Sequence, residues 1–157
     1  MLSLSKITSL IPHRPPFLWV DKVLEYSAGS MIAEKAIPKD LDIFEGHYPE
    51  NPILPGVILC EAVFQTGALL IAKILEDDNA ELLKNGQALN AGVPVLTRIG
   101  GARFKRSVSP GDIIQMHVKL KEKVAGAWFM KGTIKVKEKM AVQVEFSCAM
   151  TPATTQA

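Results

Sequence analysis

Cysteine is scarce. Only Cys60 and Cys148 occur in 157 residues, and both sit inside apolar runs. Two such residues build no disulfide framework, and their spacing matches no zinc-ligand pattern, so a reducing, cytoplasmic setting suits them. Net charge is nearly absent as well. Eighteen Lys and Arg against sixteen Asp and Glu leave +2, too little to mark a nucleic-acid binder, so any basic patch is local. The first ten residues lack a basic start followed by a continuous apolar stretch, and no signal peptide is expected. The longest apolar run, 57–72, is broken by Glu61 and Gln65 and falls short of the roughly 20 residues of a membrane span. Repeats and low-complexity segments are missing too.

What remains is an ordinary globular composition, 48% hydrophobic and 22% charged, at a length that buries a core without staples. One domain over 1–150 is expected, with 151–157 as a flexible tail. Ser3 or Ser5 caps a short helix that Pro12 ends, and Pro12-His13-Arg14-Pro15-Pro16 is a stiff connector. A strand through Glu25 and a partner from Ser30 to Ile37 form a hairpin about Ala28-Gly29-Ser30. A loop rich in proline then leads into a helix starting at Pro55 or Gly56 and reaching about Leu75. Residues 80–84 suggest a further short helix. From Val93 the apolar period becomes two, and three strands are legible. Ile114, Met116, Val118, Leu120 and Val124 share a face of the first, Gly132, Ile134, Val136 and Met140 of the second, and Val142 to Met150 of the third. A long buried helix with half-buried antiparallel strands predicts an α+β domain whose sheet wraps the helix.

Chemistry gathers on Gly46-His47-Tyr48-Pro49-Glu50-Asn51-Pro52-Ile53-Leu54-Pro55-Gly56-Val57 and the helix behind it. Glu61 and Gln65 are four apart and form that helix's only polar stripe. They read either as a buried structural pair or as a carboxyl whose pKa burial raises until it donates a proton near neutral pH. His47 reads either as a structural side chain or as a base held by a loop that Pro49, Pro52 and Pro55 stiffen. Gly56 either makes a tight helix entry or offers its N–H as an oxyanion donor.

Four blocks carry a resemblance: Pro12-His13-Arg14-Pro15-Pro16-Phe17-Leu18-Trp19-Val20-Asp21-Lys22-Val23, the His47 loop through Val57, Glu61-Ala62-Val63-Phe64-Gln65, and Ala102-Arg103-Phe104-Lys105-Arg106 to Pro110-Gly111-Asp112. In this order they resemble the (3R)-hydroxyacyl-acyl-carrier-protein dehydratases of type II fatty-acid synthesis. The resemblance implies a hot-dog fold and a homodimer with two active sites at the subunit interface, commonly assembled as a trimer of dimers. His47 resembles the catalytic base, Glu61 the catalytic acid supplied by the other subunit, and Gly56 the glycine whose N–H holds the thioester carbonyl. No metal or organic cofactor is implied. Val57, Gln65 and Arg98 are further candidates for substrate contact, and Arg103, Lys105 and Arg106 for steering an acidic carrier protein.

The chain departs from that family at Pro94-Val95-Leu96-Thr97-Arg98-Ile99-Gly100, where aromatic residues and a small pair are usual; Arg98 narrows or charges that place. The connector over 76–93 is long. His13, His117 and Cys60 are given no catalytic part, and the lysine ladders at 119–123 and 135–139 are taken as outward charges. Thioester hydrolysis, which hot-dog folds also host, and acyl-chain binding without turnover stand as alternatives.

Overall fold

Between Leu59 and Ile71 every residue but Glu61 is buried, so this helix is wrapped rather than laid on a surface. In the computed structural model, which describes residues 1–86 and 92–151, it is α3 (Gly56–Asp78) in the series α1 (Leu4–Leu10), β1 (Lys22–Ser27), β2 (Ser30–Ala36), α2 (Ile43–Gly46), α3, α4 (Ala80–Lys84), β3 (Pro94–Phe104), β4 (Ile113–Val124), β5 (Ala127–Val136) and β6 (Lys139–Met150). At 23 residues α3 is longer than the broken apolar run suggested, and it is apolar enough to cross a bilayer. Two thirds of its most apolar window is nevertheless buried by the sheet, 67%, as in a core helix. Residues 87–91 of the connector and 152–157 of the tail lie outside the described residues. Thr151 is pinned, its N–H donating to the Val93 carbonyl at 2.9 Å.

The sheet is antiparallel throughout, in the order β1-β2-β4-β5-β6-β3, and α3 packs across β2 through β6. This is the hot-dog arrangement. Close approach of helix and sheet depends on Gly132 in β5, where a Cβ would stand 2.1 Å from Val63 Cγ1. Met116, Val118, Ile134, Val142 and Val144 complete the inner face.

Three features differ from the strand pattern read above. Pro94–Phe104 is a fourth strand of this region, β3, with all its residues after Pro94 exposed and register shifts beside Thr97 and Gly100. Those bulges interrupt the period of two. A shift beside Lys121 in β4 likewise turns Val124 outward, 53% exposed, and sets Lys123 over the Trp128 ring. Finally, the turn between β5 and β6 falls at Lys137 and Glu138, both at positive φ, 47° and 63°, so Met140 belongs to β6 and not to the strand of Gly132, Ile134 and Val136. Neither turn residue is the glycine or asparagine that announces such a turn.

The far end of α3 is tethered by charge. Lys6 of α1 and Lys73 pair with Glu76, and Lys73 also pairs with Asp77, which accepts the Tyr26 hydroxyl at 2.8 Å. Burial raises the Glu76 carboxyl, but hydrogen bonds from Lys6 and Lys73 outweigh it and hold the pKa below the usual range. Lys73 and Tyr26 lower Asp77 in the same way. Burial, then the bond to Asp77, pushes Tyr26 up to about 12. Depressed carboxylates stabilise the fold above their unfolded pKa and lose that contribution as pH falls through the folded one. Urea midpoints are therefore expected to fall between about pH 5 and pH 3, and less steeply in Glu76→Gln. An equal slope in the variant would show that this tether carries none of the acid sensitivity.

Candidate active site

One turn of helix, α2, delivers His47. The His47 N–H donates to the Ile43 carbonyl at 3.0 Å, the Ile53 N–H to the His47 carbonyl at 3.0 Å, and the Leu54 N–H to the Val108 carbonyl at 2.8 Å. The loop is thereby laced to itself and to the segment that follows β3. His47 Nδ1 lies 2.8 Å from the Ile53 carbonyl oxygen, which only accepts. Nδ1 therefore carries the proton and Nε2 presents a lone pair. Tyr48 stacks on the imidazole with ring centroids 4.3 Å apart, and the peptide between the two is cis.

Beside His47 an open groove of about 600 Å³ is lined by Ile53, Gly56, Val57, Phe104, Lys105 and Arg106, among others. It meets the start of α3, where Pro55 stands at the cap position and offers no side-chain cap. The Pro55 carbonyl accepts from Ile58 and Leu59, while the N–H groups of Gly56 and Val57 have no partner among the described residues. Unpaired amides with the helix dipole behind them favour negative charge on an incoming oxygen. Phe104 roofs this spot: a Cβ on Gly56 would stand 2.7 Å from its ring. Phe104 lies in the Ala102 to Arg106 motif, where nothing in the sequence marks it for this place.

Glu61 is not among the groove's lining residues. Its Oε1 accepts from Gln65 Nε2 at 2.8 Å, and the same Nε2 donates to the Phe17 carbonyl at 2.9 Å while Gln65 Oε1 accepts the Trp19 N–H at 2.8 Å. Gln65 is 1% exposed, so it faces the protein rather than the groove. His13 Nε2, which the sequence reading set aside, stands 3.7 Å from Glu61 Oε1. Across from them Cys148 is pushed up to about 11 by burial and then by the Glu61 charge, and burial also raises Cys60. These are packed thiols, poor nucleophiles.

The basic candidates separate. Lys105 and Arg106 line the His47 groove. Arg103 opens onto the far side of the sheet with Gln143 and Glu145, its register partner being Gln143. Arg98 lines another cavity, about 370 Å³, with Lys121, Glu122 and Phe129.

A long helix wrapped by this sheet, with a histidine and free helix-end amides in one groove, is the setting of the candidate site, and the chain belongs to the family of the FabA-like domain, whose model matches residues 11–145. More particularly, it is 37% identical over 153 residues to the 3-hydroxyacyl-(acyl-carrier-protein) dehydratase FabZ of Janthinobacterium sp. strain Marseille, covering 95% of this chain and 90% of that one. With the protein of the same name from Chloroflexus aggregans it shares 37% over 155 residues, 98% and 99% of the two chains. Among solved structures, the dehydratase heterocomplex ApeI:P from Xenorhabdus doucetiae superposes with a TM-score of 0.70 at 13% identity, over 92% of this chain and 90% of that one. The E. coli PaaI protein from the phenylacetic acid degradation operon gives 0.61 at 11% identity, over 85% and 80%. At those identities the superpositions speak for the fold alone.

Proposed function

We propose that this protein dehydrates (3R)-3-hydroxyacyl thioesters on acyl carrier protein to trans-2-enoyl thioesters. The observation that carries the reading is His47, its Nδ1 committed to Ile53 and its Nε2 open, in one groove with the unpaired amides of Gly56 and Val57. Nε2 takes the proton from C2 of the substrate. The thioester oxygen, held by the Gly56 N–H, carries the developing negative charge. As that electron pair forms the C2–C3 double bond, the C3–O bond breaks and a protonated Glu61 supplies the proton that turns the departing hydroxyl into water.

In this reading Glu61 comes from a second copy of the chain. Val57 and, in β3, Val95, Leu96, Ile99 and Phe104 are exposed, apolar surface that a second copy would cover. Lys105 and Arg106 sit where an acidic carrier would arrive, and Arg103 lies farther round. Arg98 and Gln65 do not touch the groove, and we assign neither to the substrate. A cytoplasmic homodimer, assembled as a trimer of dimers, completes the proposal.

Two inactive chains test it. Glu61→Gln and His47→Ala should each abolish the change in enoyl absorbance. Mixed one to one with subunit exchange, they should regain about a quarter of full activity, since half of random dimers are mixed and each holds one intact site. Exchange without recovery would place acid and base on the same chain. Free-thiol release without enoyl formation would favour thioester hydrolysis instead.

A further inference from the structure

The connector after α1 brings a second imidazole to the acid. Arg14 fixes it there: Nη1 donates to the Ile11 carbonyl at 2.9 Å and to the His13 carbonyl at 2.7 Å, and Nη2 to the Thr8 carbonyl at 2.9 Å. Those bonds close the end of α1 and hold the backbone of His13. Four residues on, Gln65 grips the Phe17 carbonyl and the Trp19 N–H, so His13 is anchored from both sides.

Its side chain has one neighbour of consequence. Nε2 stands 3.7 Å from Glu61 Oε1, with both side chains about a quarter exposed, 25% and 23%. Nδ1 is buried and has no hydrogen-bond partner. An N–H buried there without an acceptor would cost free energy, so the tautomer the surroundings favour has its proton on Nε2, facing the carboxyl. Gln65 Nε2–H already points at the same oxygen.

From this we infer that His13 is a positioning residue for Glu61, a role resting on the dehydratase reading above. Two donors directed at Oε1 make it the acceptor oxygen and leave the transferable proton on Oε2, for which no partner occurs among the described residues. The 3.7 Å separation exceeds a hydrogen bond, and contacts of catalytic groups that are long in an empty site commonly tighten only in the substrate complex. His13 thus selects which oxygen gives up its proton, without itself touching the substrate.

Kinetics and histidine spectra test this together. His13→Phe keeps a flat aromatic ring, somewhat larger, and removes both nitrogens. It should lower kcat by about tenfold or more with KM changed by less than about twofold, at an unchanged melting temperature. His13→Gln, which restores a donor near the place of Nε2, should recover most of that loss. Full kcat in His13→Phe overturns the inference, and so does a folded His13→Gln as slow as His13→Phe. In ¹⁵N-histidine spectra of the intact protein, His13 should show the Nε2–H tautomer and respond to Glu61→Gln; an Nδ1–H tautomer overturns it without reference to activity. Free-thiol release without enoyl formation would instead break the dehydratase reading, and the spectra would still decide the case of His13.

Discussion

Replacing His47 with asparagine is expected to lower kcat on a hydroxyacyl thioester by about a thousandfold while the protein folds as before. A positioned general base contributes on the order of 10² to 10⁴, and His47 is the one imidazole in the groove. Asparagine is the informative replacement because its amide can reach the Ile53 carbonyl that Nδ1 now holds at 2.8 Å. It keeps the loop's internal bond and removes the basic nitrogen. Alanine removes both. Equal losses in the two variants, with unchanged far-UV spectra, separate proton abstraction from loop support. If asparagine retained a tenth of the wild-type rate, the base would have to be another group.

Gly132→Val should be strongly damaging although it lies outside the site. A Cβ at this position would stand 2.1 Å from Val63 Cγ1, and Val63 is fully buried beneath it. The clash cannot be relieved by a long side chain swinging into water. Either α3 moves off the sheet or Val63 leaves its rotamer, and overpacking of this kind costs about 3 kcal/mol or more, a large part of a typical domain's stability. Urea unfolding measures it. Val63→Ala in the same chain should return part of the loss, because the two residues meet directly and their effects will not add. Additive losses would mean that the helix, not this contact, gives way.

Much of the architecture was open to sequence reading because burial imposes a simple period. The apolar run after Pro55 marked a helix, which Glu61 and Gln65 within it assigned to a core, and alternation in 114–120 and 142–150 marked strands with one dry face. The parts that escaped lack that pressure. Residues of β3 after Pro94 face outward in the single chain, and its bulges break what alternation there is. The turn at Lys137-Glu138 adopts positive φ with residues that give no warning of it. At the site, the loop motif and its resemblance to the dehydratases singled out His47 and Gly56, which the structure brings into one groove. His13 could not be found this way. Its meeting with Glu61 depends on how the N-terminal segment crosses α3, and nothing local to either residue encodes that crossing.

Gln65 binds together regions that look unrelated along the chain. Its one amide holds the Phe17 carbonyl, the Trp19 N–H and the Glu61 carboxyl at once. The segment over residues 12–19 is therefore tied to the middle of α3 through one side chain. An insertion there, a shortened connector, or a fusion that drags on residues 12–19 reaches the carboxyl through a single side chain and leaves His47 and its groove undisturbed. A change at residues 12–19 is therefore felt at a carboxyl in the middle of α3.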